Sequence, residues 1–338
     1  GGSKNEVLFE RKNVEYVSRA VDCLDFFNEA SSIFGGTAWF FCNSEFSSIE
    51  NKVVPLDFLF IDEAGQVPVA NLIAMSHIAD NLILMGDQMQ LSNPTQGTHP
   101  DESGKSILEY LLGEQSTIPP DIGIFLPKTF RMHPDLCGII SEQVYDNRLL
   151  SDDSTLKNTL SSELINFGLT PGIHYVPVFH ESNIQGSIEE VLAIKSYTEK
   201  LIGCSLWKGK NNKTHEKLDW DDILIVAPYN HQVNLLKQNL NSNARVGTVD
   251  MFQGQEAPIV ILSMSVSDAS ESPRGWEFLF SKNRLNVAIS RAQSAAIIFA
   301  SPNLISTSVN TLKQMQLINF YSRIKENGKN STIINFIN

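Results

Sequence analysis

Two adjacent acids, Asp62 and Glu63, follow the apolar run Phe58-Leu59-Phe60-Ile61 and precede Ala64-Gly65-Gln66. An unbroken apolar run predicts a strand buried on both faces. Acids just past its carboxyl end sit where open α/β sheets meet their ligands. There an Asp can hold the Mg2+ of a bound nucleotide and the next acid can orient an attacking water. The alternative is a solvated acidic turn. Gly86-Asp87-Gln88-Met89-Gln90-Leu91 follows a second apolar run, Leu82–Met85, in the same way. Its Asp and Gln can read a γ-phosphate, or form an ordinary Gly-Asp turn.

Three later segments carry related chemistry. Phe130-Arg131-Met132-His133-Pro134 puts an Arg fork, suited to phosphate oxygens, before a helix opened by Pro134. The loop Gly247-Thr248-Val249-Asp250-Met251-Phe252-Gln253-Gly254-Gln255-Glu256 is rich in hydroxyl, amide and glycine groups that can donate to phosphates. Glu256 can accept from a ribose hydroxyl or pair with an Arg. Asn283–Ala292 reads as a helix with Leu285, Ala288, Ile289 and Ala292 on one face and Arg284 and Arg291 on another. Such an Arg pair can reach a transferring phosphoryl group, or lie solvated on an exposed face. Ser103-Gly104-Lys105-Ser106 imitates the end of a P-loop, but His99 stands where the first Gly belongs and no strand precedes it. Lys105 is therefore expected at a helix start or on the surface.

Elements must hold these loops. Apolar spacing predicts a helix over 12–32 (Val14, Val17, Val21, Leu24, Phe27), a strand over Ala38–Phe41, strands at Phe58–Ile61 and Leu82–Met85, and a helix over Val69–Ile78. Ile118-Pro119-Pro120-Asp121-Ile122-Gly123 punctuates the chain as a domain boundary. Beyond it come a helix over Pro134–Tyr145, a polar run at Lys208–Lys217, a strand at Ile223–Ala227 and a helix at Gln232–Leu240. A strand at Ile259–Met264, a helix at Lys282–Arg291 and a strand at Ala295–Ala300 complete the alternation. Strands alternating with helices imply βαβ units and parallel sheets in two α/β lobes.

The 338 residues, 42% hydrophobic and 19% charged, suit an ordinary globular chain with a sizeable core. A net charge of −12 argues against coating nucleic acid with the whole surface, though not against a local groove. Cys23, Cys42, Cys137 and Cys204 form no CxxC pair, which disfavours zinc and disulfides and fits a cytoplasmic protein. No stretch is long and apolar enough to span a membrane, and Thr332–Ile337 is too short to anchor one. Gly1-Gly2-Ser3 reads as a linker, so a longer natural chain is expected.

In this order and spacing, over about residues 35–300, the segments resemble superfamily 1 helicases, in the branch of the nonsense-mediated-decay helicase. Asp62–Gln66 is similar to motif II, Gly86–Leu91 to motif III and Phe130–Pro134 to the Tyr-Arg-Met-His-Pro of motif IV. Gly247–Glu256 is similar to motif V and Asn286–Ala292 to motif VI. Gly36–Trp39, Pro228-Tyr229-Asn230 and Phe278–Arg291 further resemble the C-terminal helicase region of bacterial RecB-like nuclease/helicase proteins, in which a nuclease-like domain lies upstream.

The resemblance implies two RecA-like parallel-sheet lobes, residues 1–118 and 119–338, the first incomplete because it lacks the P-loop. It implies ATP and Mg2+ as cofactors and a single strand of nucleic acid, DNA favoured, as partner, with an upstream P-loop and nuclease-like region of the same protein. By position, Asp62 binds Mg2+, Glu63 activates water, Gln88 senses the γ-phosphate, and Arg131 and Arg291 contact that phosphate. Gly254, Glu256 and Arg284 lie near the nucleotide. Thr37, Pro228, Tyr229, Thr248 and Gln253 lie toward the nucleic acid or the coupling elements. Without a P-loop Lys the chain alone is expected to hydrolyse almost no ATP. A non-catalytic binding module is the alternative. A nuclease using Asp62, Glu63 and Asp87 is disfavoured because no Lys stands near the acids.

Overall fold

A computed structural model describes residues 19–23, 33–46, 55–91, 100–206, 216–305, 309–327 and 329–330. Most of the helix expected over 12–32, most of the polar run Lys208–Lys217, His99 and the run Thr332–Ile337 lie outside the described residues; Ala20–Cys23 forms a single 3-10 turn. The chain divides into two compact units, Gly1–Gln115 and Ser116–Asn338.

In the first unit, α1 (Ala38–Phe41) corrects the strand expected there. Thr37 Oγ1 accepts from the Phe40 amide, and the Cys42 amide closes the turn on the Ala38 and Phe40 carbonyls. The Phe40 ring packs edge-on against Phe41 and Phe46 at 5.2 and 5.3 Å. A capped aromatic turn thus wins over β-propensity, which depends on a partner strand. Next come β1 (Leu56–Ile61), α2 (Val69–Met75) and β2 (Ala79–Leu84), with β1 and β2 parallel and Leu59 opposite Leu82. Burial of β1 corrects a second expectation. Leu59 and Ile61 are each 6% exposed, but Phe58 and Phe60 are 53% and 60% exposed. Side chains alternate across a strand, and among the described residues only the Leu59 and Ile61 face is covered. Helix α3 (Ile107–Leu112) closes the unit with a capping box between Ser106 and Glu109.

The second unit opens with β3 (Lys128–Thr129), α4 (Pro134–Val144), β4 (Leu150–Ser151) and α5 (Ser162–Asn166). Then follow β5 (Gly172–Pro177), α6 (Ile188–Leu201), the short antiparallel pair β6 (Ser205–Leu206) and β7 (Glu216–Lys217), and β8 (Ile223–Val226). After them come α7 (Asn230–Asn239), β9 (Arg245–Gly247), β10 (Ala257–Ser263), α8 (Gly275–Leu279) and α9 (Lys282–Ser290). β11 (Ala292–Ala300), α10 (Leu312–Asn327) and β12 (Lys329–Asn330) end the unit.

Six strands form one parallel sheet in the order β12-β5-β11-β10-β8-β9. Every residue of β8 is buried, and β10 and β11 are buried at all but one position each. Burial on both faces is what a parallel α/β sheet requires. Ile194, Leu201, Ile225, Leu236, Ile261 and Phe299 belong to the core. From β8 the chain steps outward to β9, then returns past β8 to β10 and continues the other way to β11. The carboxyl ends of β8 and β10 therefore flank a switch in strand order, where open α/β sheets form ligand crevices.

Candidate active site

The acids of the first unit stand exposed on the turn that leaves β1. Asp62 Oδ1 accepts from the Glu63 amide at 2.9 Å, and Glu63 adopts the left-handed conformation, φ 52° and ψ 40°. Such a backbone is uncommon for a non-glycine residue and costs about 1–2 kcal/mol. Glycines hold the turn down. The Ala64 amide donates to the Met85 carbonyl at 2.8 Å. A Cβ on Gly65 would sit 2.6 Å from the Asp87 carbonyl oxygen, and one on Gly86 would sit 2.8 Å from the Ala64 nitrogen. The two predicted motifs thus abut through bare backbone. Asp87 folds its carboxylate inward, accepting from the Met89 amide at 2.8 Å and the Gln90 side chain at 3.2 Å. Gln88 Nε2 donates to the Gln115 carbonyl at 3.0 Å. Lys105 precedes the cap of α3 and pairs with Glu102, the surface position expected of it.

In the second unit, Arg131 joins residues far apart in sequence. Its Nε donates to Glu256 Oε2 at 2.7 Å and its Nη1 to the Ser290 carbonyl at 3.2 Å. Glu256 Oε1 accepts from Gln293 Nε2 at 2.9 Å. Asn158 Nδ2 fixes the Arg131 carbonyl at 2.6 Å, and the His133 amide bonds to the Gln293 carbonyl at 2.8 Å. Burial pushes the Arg131 guanidinium pKa below its usual value, as desolvation of a charge does. Gln293, Asn158 and the Ser290 carbonyl escaped the sequence reading. Gln293 was the findable one, a long amide near the start of a largely apolar strand.

The two arginines of α9 do not form a solvated face. Arg291 follows the helix as its C-cap, is only 5% exposed, and its Nη1 lies 3.4 Å from the Gln255 carbonyl. Arg284 pairs with Asp250 at 3.1 Å and stacks 4.6 Å from the Phe278 ring centroid. Leu285, Ala288, Ile289 and Ala292 are buried as their spacing predicted. Both arginines thus reach the Gly247–Glu256 loop, where Gly254 takes φ 76° and Gln253 is exposed. Thr248 precedes a 3-10 turn, half-buried.

Pro228 and Tyr229 follow β8 at the switch crevice, which Val226, Leu262, Met264, Phe278, Leu279 and Arg284 help to line. Tyr229 is only 6% exposed, with its hydroxyl 2.7 Å from Ser272 Oγ and its ring 5.4 Å from Phe278. It braces the loop after β10 and offers no open ring face. Thr37 caps α1. Beneath the crevice loops lies a buried network. Glu190 accepts from the Ser263 hydroxyl and from the Ser265 amide at 2.9 Å, and its Oε1 lies 3.0 Å from His180 Nε2. His180 Nδ1 is 2.7 Å from Ser267 Oγ, and Gln232 Nε2 donates to Ser263 Oγ at 2.8 Å.

The Arg131–Glu256–Gln293 cluster sits at the amino ends of the parallel strands β10 and β11, and the same chain carries the Asp62-Glu63 turn; with the family and relatives that follow, the chain is a segment of a superfamily 1 helicase. The chain belongs to the AAA domain family, which matches residues 104–303. It is 28% identical over 284 residues to the DNA replication ATP-dependent helicase/nuclease dna2 of Schizosaccharomyces pombe, covering 78% of this chain and 20% of that protein. It is 29% identical over 299 residues to the probable helicase senataxin of Mus musculus, covering 83% and 10%. A helicase of an arterivirus in complex with DNA aligns with 74% of this chain and 41% of its own, at 14% identity and a TM-score of 0.37. The chain spans about a fifth of the first of these relatives and a tenth of the second. No helix among the described residues is long and apolar enough to cross a membrane.

Proposed function

We propose that the chain is the C-terminal portion of an ATP-dependent helicase or translocase that moves along single-stranded nucleic acid, with DNA favoured. The observation that carries the reading is the Asp62-Glu63 turn, two exposed acids at the carboxyl end of a parallel strand on a strained backbone locked by glycine packing. Strain kept at such a place belongs to function more often than to folding. Asp62 suits Mg2+, which takes one or two carboxylates and completes its shell with phosphate oxygens and water. No cluster of three or more His, Cys, Asp or Glu among the described residues could hold a metal by protein groups alone. A Mg2+ held there by Asp62 would neutralise phosphate charge.

In this reading Glu63 orients the attacking water. Gln88, now on the Gln115 carbonyl, and Arg131, now on Glu256, exchange those partners for γ-phosphate oxygens. Arg291 supports the same charge, while Gly254, Glu256 and Arg284 border the nucleotide. Thr37, Thr248 and Gln253 face the strand, and Pro228 and Tyr229 shape the loop beside it. Residues 1–118 form the end of a first RecA-like lobe and 119–338 a second. An upstream segment of the same protein supplies the P-loop and a nuclease-like region, as in RecB-like nuclease/helicase proteins. Four free thiols suit a cytoplasmic setting.

The test is steady-state ATP hydrolysis with and without single-stranded DNA, by this chain, by a longer protein that includes the upstream P-loop, and by that longer protein carrying Glu63→Gln. DNA-stimulated turnover is expected only from the longer, unsubstituted protein. Its inactivity with both DNA and RNA would leave a non-catalytic binding module as the reading.

A further inference from the structure

We propose that the cleft between α8 and the first turn of α10 is a subsite for one nucleotide of a single nucleic-acid strand, with the Trp276 indole stacking on the base and Arg274 and Lys313 meeting the flanking phosphates. This rests on the helicase reading above and names where the second unit grips its strand.

The cleft has a volume of about 530 Å3 and is lined by Arg274, Trp276, Glu277, Thr311, Lys313 and Gln314, among others. That size lies within the range of small-ligand sites, about 300–1,000 Å3. Its two walls follow the carboxyl ends of the neighbouring strands β10 and β11, the edge at which open α/β sheets receive ligands. Phe278 and Leu279 of α8 line the switch crevice, while Arg274–Glu277 just before them line the cleft.

Its chemistry is that of a sequence-tolerant strand contact, an aromatic face among cations. Trp276 is half-exposed and held edge-on by Phe280, 6.0 Å between centroids at 60°. Arg274 is exposed, and its guanidinium is fixed 3.7 Å from the Phe278 centroid, on the ring that also carries Arg284. Lys313 Nζ lies 2.8 Å from Glu277, with both side chains 68% exposed. A pair so open to solvent is weak, so a phosphate can take the ammonium from the carboxylate. In a chain of net charge −12, a cleft that Arg274, Lys313 and one indole line together with the single acid Glu277 is a local exception. None of the helicase-like motifs contains Arg274, Trp276 or Lys313.

The probe is a fluorescein-labelled oligothymidylate of about 15 nucleotides, within the site sizes of strand-binding folds, titrated with the 338-residue chain across a salt series. Trp276→Leu, which keeps an apolar side chain and loses the aromatic face, should weaken binding about tenfold or more, and Trp276→Phe should retain most of it. Arg274→Gln should lower the slope of log affinity against log salt by about 0.7, one phosphate contact to a single strand. Glu277→Gln, which frees Lys313, should tighten binding a few-fold, whereas a merely structural pair would weaken it or change nothing. If Trp276→Leu and Arg274→Gln bind normally while Thr248→Ala or Gln253→Ala weakens binding, the strand runs elsewhere: the subsite falls and the helicase reading stands. If the unsubstituted chain binds neither this oligonucleotide nor the matching oligouridylate even at low salt, the subsite falls, and the helicase reading is decided by ATP hydrolysis of the longer protein.

Discussion

Glu190→Ala tests whether the loops at the carboxyl edge of the large sheet hang on one buried carboxylate. Glu190 is 0% exposed and serves the Ser263 hydroxyl, the Ser265 amide and the His180 ring. Ser265 itself takes φ 59°, so its amide has been turned toward that acceptor at some backbone cost. Alanine leaves all three groups buried without it. A hydrogen bond to a charged group is worth about 1.5–3 kcal/mol, but bonds that share one carboxylate do not add in full. Each buried group left without its acceptor costs about 1–3 kcal/mol, so three of them cost about 3–5 kcal/mol once their sharing is discounted, a large part of the roughly 5–15 kcal/mol that holds a domain together. Amide hydrogen exchange of Ile223–Val226 and Ala292–Ala300 reads that loss directly, because these central strands open only with the whole unit. At about 1.4 kcal/mol per decade, exchange should quicken by roughly two to four orders of magnitude. Glu190→Gln keeps the volume and one carbonyl oxygen, and should fall between. Exchange of the alanine variant within about tenfold of the parent would refute the reasoning, since the network would then be worth no more than a single ordinary hydrogen bond.

Gly65→Ala should destabilise the first unit by about 1–3 kcal/mol, the usual cost of forcing atoms into a filled space, because the new methyl meets the Asp87 carbonyl at 2.6 Å. Gly138→Ala in α4, where a Cβ meets nothing within 4 Å, should instead stabilise the second unit by about 0.5–1 kcal/mol; exchange of strand amides in each unit distinguishes the two. Burial, then the Glu190 charge, pushes the Tyr175 hydroxyl up to about 12. The unfolded chain ionises first, at the ordinary value near 10, so stability is complete below about pH 10 and falls as pH rises toward 12. Urea midpoints at about pH 9 and pH 11 should therefore separate, and Tyr175→Phe should narrow the gap.

Much of this was legible in the chain. The continuous apolar runs of β8, β10 and β11 announce a parallel sheet because both of its faces are covered, and the Asp-Glu and Gly-Asp-Gln segments follow strands as their sequence suggested. Ala38–Phe41 misled because a cap three residues away decides between turn and strand, and apolar content does not encode it. Phe58 and Phe60 misled because burial of alternate faces depends on what lies over each. An Arg partner for Glu256 was legible as one of two readings, but not which Arg: Glu256 and Gln293 are brought to Arg131 by strand order, and no local spacing records that.

The strand order also fixes the schedule on which the second unit can be made. β5 lies in the interior of the sheet, yet it pairs with β11, Gly172 opposite Ala295, and then with β12 at Lys329 and Asn330. During synthesis β5 leaves the ribosome long before either neighbour exists, with both hydrogen-bonding edges bare. Pairings so distant in sequence fold slowly and leave sticky edges in the interval. A ribosome stalled before β11 therefore holds a chain that aggregates or recruits a chaperone. Trimming β12 removes one edge strand, but any trimming that goes on to remove Ala292–Ala300 strips a neighbour from β10 as well as from β5 and splits the sheet in its interior.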